Sequence, residues 1–181
     1  MLIKTNFQIS TYKVKSHNIE LYTTNIFSEK LKGNKKFSGY EKILDELNKL
    51  NFVSARKQFD ELQINTLSDV SELDRAFLNK IKCKINIETG NLKEAINLYN
   101  KSLPVFEKTF HKFDPIVISS NMDFIEANLS ITNDLNTFKE SIFQELAKAT
   151  LIKDNYLITR GYQLLSNLYT KSFNDKNSLD L

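Results

Sequence analysis

From about residue 38 to about residue 173 the apolar positions recur with a helical period. The segment after Gly90, GNLKEAINLYNKSL, places Leu92, Ala95, Ile96, Tyr99, Ser102 and Leu103 within one arc of a helix, the mark of a face that must be buried. Ala95 and Ser102 are small, leaving room for a neighbouring helix to approach. The segment NFVSARKQFDEL carries the same pair of features 40 residues earlier, with Ala55/Phe59 matching Ala95/Tyr99. Two helical patterns separated by a glycine, the second with a small residue inside its apolar stripe, predict a helix pair.

The same period predicts the other elements. Ser38-Gly39-Tyr40-Glu41 has the form of a capping box, followed by Tyr40, Ile43, Leu44, Leu47 and Leu50. A partner helix carries Phe52, Ala55, Phe59 and Leu62, and residues 65–69 read as a polar connection. The third helix runs through Val70, Leu73, Phe77, Ile81 and Ile85 to Gly90. The fourth reaches Phe106 and Phe110, with Pro104 expected to kink it or end its regular part. Asp114-Pro115 reads as N-cap and first helical residue of the fifth. Asn133-Asp134 reads as a turn before a sixth helix with Leu135, Phe138, Ile142, Phe143 and Leu146.

The seventh helix, Tyr156 to Phe173, divides into an apolar side with Leu157, Ile158, Tyr162, Leu164, Leu165, Leu168 and Tyr169 and a polar side that includes Arg160 and Lys171. Gly161 within the apolar arc points to a close helix–helix contact. Residues 174–181 read as a flexible polar tail. Residues 1–37 do not fit the repeat: FQISTYKVK and IELYTT alternate weakly, predicting a short hairpin or an extended basic arm.

Helix, glycine turn and helix with a small residue in its stripe resembles the tetratricopeptide repeat. The spacings are 40 residues from Ala55 to Ala95 and 43 from Ala95 to Phe138, longer than the ordinary unit of roughly 34 residues. They look more like the long-helix variant of kinesin light chains and bacterial aspartate-phosphatase-type regulators. SLPVFEKTFHKFDPIVISSNMDFIEANLS is similar to that variant's junction, where a basic-aromatic stretch runs into an Asp-Pro helix start. The resemblance covers 38–173 by pattern and 90–131 by residue identity. Lys82 and Cys83 depart from the family's expected large apolar and small residues, as does Phe138 from its small residue, which leaves a generic helical solenoid as the alternative. The implied architecture for 38–173 is all-α, a right-handed superhelix of about three antiparallel helix pairs plus a final helix.

Composition sharpens this picture in three places. The chain has 181 residues, enough for one domain with a substantial core but short for two. Its single cysteine, Cys83, excludes an internal disulfide framework. No apolar run approaches the ~20 residues needed to cross a bilayer, and the N-terminal residues lack a continuous apolar block and a cleavage site, so cytoplasmic residence is expected. The net charge of +3 divides into +5 over residues 1–36, 0 over 37–110 and −2 over 111–181, so the basic excess lies in the N-terminal segment. Only three of 25 basic residues are arginine, which argues against nucleic acid as a partner.

Candidate chemistry is sparse. No glycine-rich phosphate loop is present, and His17 and His111 have no partners at metal-ligand spacing, so neither a cofactor nor a metal is expected. Cys83 lies between Lys82 and Lys84, which could activate the thiol, but an inert thiol packed between helices is the expectation. Asp45/Glu46 and Asp60/Glu61 diverge on their helices and read as solvated faces. In the resembled family the first helix of each pair lines a concave groove. There Lys80 and Lys84 border the apolar face with Ile87 in line, and Asn121 and Asn128 lie two turns apart in an apolar arc. These five residues are the candidate binding set: lysines for a partner's carboxylates and asparagines for its backbone. The alternative reading has the lysines solvated and the asparagines bonded across to a neighbouring helix. The expectation is a protein- or peptide-binding module without catalytic activity, the alternative a dedicated inhibitor such as a toxin-immunity protein; a homo-oligomer stays open.

Overall fold

A computed structural model describes residues 40–66, 71–132 and 135–179. The proposed N-terminal hairpin, the Ser38 cap, most of the 65–69 connection and the Asn133-Asp134 turn lie outside the described residues. Among those described there are seven helices and no strand: α1 (Tyr40–Asn48), α2 (Phe52–Thr66), α3 (Glu72–Glu88), α4 (Leu92–Thr109), α5 (Pro115–Leu129), α6 (Leu135–Leu151) and α7 (Asn155–Leu179). No described helix is long and apolar enough to cross a membrane.

Each helix packs on its sequence neighbour, and α3, α5 and α7 also pack on one another in that order. Ring contacts show the antiparallel sense of α3 and α4. Phe77, early in α3, meets Phe106, late in α4, at 5.3 Å, while the Cys83 thiol, farther along α3, donates to the carbonyl of Ala95, early in α4, at 3.4 Å. Tyr40 and Phe59 join α1 to α2 edge-on at 5.9 Å. Ala55 and Ala95 are fully buried, as their place in the stripes requires. Gly161 is the predicted close contact: a Cβ there would lie 2.9 Å from Leu146 Cδ1 and 3.3 Å from Leu146 Cβ.

Three turns share one geometry. Leu50, Gly90 and Lys153 have φ of 60°, 78° and 56°, and the next residue's amide reaches back to the helix, Asn51 to Glu46, Asn91 to Asn86 and Asp154 to Ala149. This left-handed cap satisfies carbonyls that a helix end leaves unpaired. Asn51 and Asp154 then begin the next helix by accepting from the amides of Ser54 and Leu157; the Asn91 side chain makes no such bond. Asp114 caps α5 as expected, accepting from the Ile116 amide at 2.9 Å with Pro115 first in the helix.

Several expectations are corrected. Of the two outcomes expected at Pro104, the end is corrected: helix α4 continues through it to Thr109, because Phe106 beyond it is fully buried in the core and tertiary packing outweighs the lost hydrogen bond. Helix α7 runs to Leu179, past the expected helix end at Phe173. On that helix Tyr162 and Tyr169 are exposed although assigned to the apolar side, and Arg160 is buried although assigned to the polar side. The reason for the second is an ion pair.

Candidate functional site

Helix α5 is mostly apolar, yet Asp123 sits inside it at 3% exposure. An isolated carboxylate there would be costly, so it requires charged partners. Lys80 of α3 supplies one, donating from Nζ to Oδ2, and Arg160 of α7 supplies the other, donating from Nη2 to Oδ1 at 2.5 Å. Arg160 also donates to Glu126 at 2.9 Å and to the Ser119 carbonyl at 3.4 Å. Lys84 lies 2.5 Å from Glu88 and 4.0 Å from Glu126. Three cations and three carboxylates thus balance across α3, α5 and α7.

The pairing order also sets direction. Lys80 and Lys84 advance along α3 as Asp123 and Glu126 advance along α5, so the two helices run parallel. Lys171, later in α7 than Arg160, donates to the carbonyls of Leu129, the last residue of α5, and Thr132 just beyond it, so α5 and α7 are parallel as well.

Electrostatics follow from burial and neighbours. Burial alone would raise the Asp123 carboxyl, but Arg160, Lys80 and Lys84 outweigh it and hold the group well below the usual carboxylate range. Glu126 is lowered against the same effect of burial by Lys84 and Arg160. Lys80 is lowered by burial, with Asp123 opposing. Burial, aided by Asp123, pushes the Cys83 thiol up to about 12, so Cys83 is un-ionised at neutral pH and its flanking lysines do not activate it.

A second network joins α4, α5 and α6. Tyr99 donates to Asn121 Oδ1 at 2.6 Å, Asn121 donates to Glu145 Oε1 at 3.0 Å, and Lys148 donates to the same oxygen at 2.7 Å. Tyr99 stacks on Phe124 with centroids 4.3 Å apart. Glu145 Oε2 is buried without a partner, and burial raises this carboxyl against the opposing effects of Lys148 and Asn121.

The five candidate residues are therefore divided. Lys80 is buried at 3% exposure and so is not solvated, and Asn121 bonds across to two neighbouring helices. Asn128 donates to the Phe124 carbonyl one turn back in its own helix. Lys84 and Ile87 are half-buried near the end of α3, with Ile87 packed against the cluster around Cys83 and Ala95. Sequence reasoning misses Asp123, Glu126, Arg160, Tyr99 and Glu145. The one signal it offers for them is an aspartate embedded in a mostly apolar helix.

Among the described residues no group of three or more His, Cys, Asp or Glu is placed to hold a metal ion. No protein-family model matches the chain, and neither a curated protein nor a solved structure is significantly similar to it.

Proposed function

We propose that the chain is a non-catalytic protein- or peptide-binding module, built as a right-handed superhelix of tetratricopeptide-like pairs of the long-helix variant. The observation that supports this reading is the parallel register of α3, α5 and α7, with α4 antiparallel to α3 and α6 packed on α5. Lys80 and Asp123 are 43 residues apart and Asp123 and Arg160 are 37 apart, so corresponding helices meet at about one helix pair's spacing. Stacked pairs of this kind present an extended surface, and their usual role is recognition. Lys84 and Ile87 are the candidates left partly open to a partner.

Selection of a random peptide display library on the immobilised full chain tests the reading. Enrichment of peptides with a shared sequence pattern supports it. A library that emerges without enrichment, from chain shown to be folded, contradicts it.

A further inference from the structure

A cleft of about 440 Å³ lies away from the ionic network, between α2, the end of α3 and the start of α4. Its volume falls within the range of small-ligand sites. Asn86 lines it at 2% exposure, and its Nδ2 is buried without a hydrogen-bond partner. Leaving such a donor unpaired is destabilising, so a donor kept there needs an acceptor. Asn91, in the same cleft, stands where Asn51 and Asp154 cap their helices, yet its side chain makes no capping bond. The first amides of α4 thus lack a side-chain acceptor and carry the positive end of an 18-residue helix dipole.

The charged lining narrows the ligand. Arg56, Lys82 and Lys93 face Asp60 and Glu94 around the cleft, a net of +1. That balance suits one carboxylate and disfavours a dianionic phosphate, which the two acids would repel. Lys82 Nζ lies 6.0 Å from the Phe59 ring centroid, which places this cation against the wall of the cleft. We propose that this cleft binds a single carboxylate of an acidic peptide, with the Asn86 amide, the first-turn amides of α4, Arg56 and Lys93 as donors. The peptide part of the proposal rests on the recognition role argued above; the carboxylate part rests on the cleft alone.

Nuclear magnetic resonance of the full 15N-labelled chain tests it, with N-acetylglutamate α-methylamide, N-acetylglycine, inorganic phosphate and neutral N-acetylglutamine methylamide as probes. The first two distinguish a side-chain from a terminal carboxylate. Saturable shifts at the Asn86 side-chain amide and the amides of residues 92–94 are expected for at least one carboxylate, with none for the neutral probe. Asn86→Leu should leave the melting temperature unchanged or higher while weakening binding about tenfold, and exposed Lys93→Glu should weaken it similarly without unfolding. Absence of saturable shifts at Asn86, tighter binding of phosphate, or unchanged affinity in both variants would overturn the proposal. An acidic peptide that binds no tighter than the single carboxylate leaves the cleft standing and removes the peptide-recognition reading. Display-selected peptides indifferent to Asn86→Leu would keep that reading and overturn the cleft as the site of the peptide's carboxylate.

Discussion

Lys80 and Asp123 form a buried ion pair between α3 and α5 across 43 residues of sequence. The pair is 3% and 5% exposed at its side chains, and Arg160 shares the same carboxylate from α7. Two cations on one aspartate leave little freedom for α3, α5 and α7 to slide, because a one-turn slip would strand charge in the interior.

Glu145 gives a pH-dependent prediction. Burial raises its folded-state pKa above the unfolded value near ~4.3, so ionising it is a cost to the fold that is fully present above the folded pKa. As pH falls through the folded pKa toward the unfolded one, that cost disappears. Glu145→Gln keeps an acceptor for Asn121 and removes the charge. The variant should match or exceed the parent by up to ~1 kcal/mol at neutral pH, with the difference closing by pH ~4. Urea unfolding at a series of pH values checks this; a variant less stable at neutral pH than at pH 4, relative to the parent, would contradict it.

Ala95 sets how closely α3 and α4 approach. It is fully buried among Cys83, Leu98, Tyr99 and Ala127, so Ala95→Leu should overpack the contact and destabilise by ~1–3 kcal/mol. Lys93→Ala, on the exposed side of the same helix, should stay within ~0.5 kcal/mol. Equal tolerance in thermal melts would mean that the stripe has been assigned to the wrong face.

The turns make opposite predictions for the same conformation. Gly90 has φ of 78° and open space where a methyl group would sit, so Gly90→Ala should cost ~1–2 kcal/mol through the backbone alone. Lys153 already bears that cost at φ of 56°, and Lys153→Gly should recover up to ~1 kcal/mol. Chemical denaturation of both variants is the check, and a destabilised Lys153→Gly would refute the shared geometry.

What the sequence discloses is what neighbouring residues decide. The helical period, the Gly90 turn, the Asp114 cap and the burial of Ala55, Ala95 and Gly161 follow from spacings of a few residues. The site is less legible because its partners are distant. Lys80 looks like an edge lysine, since periodicity cannot reveal an aspartate 43 positions away on a helix packed against it. Arg160 falls on the polar side for the same reason: period assigns charge outward unless a buried counter-ion is known. Tyr162 and Tyr169 fit an apolar arc, but α5 and α6 cover only part of that arc on α7 and leave both rings exposed. Asn121 stands out as a polar group in an apolar setting, and its partners are Tyr99 and Glu145.

A double-mutant cycle between Lys80 and Asp123 tests the parallel register of corresponding helices most directly. Asp123→Asn alone should destabilise by ~3–5 kcal/mol, because it leaves Lys80 and Arg160 buried without their common counter-ion. Combined with Lys80→Met, the loss should fall short of the sum of the single losses by ~1–3 kcal/mol, the coupling expected of groups in contact. Additivity within ~0.5 kcal/mol would mean that the two side chains do not meet, and the register of α3 on α5 would be contradicted.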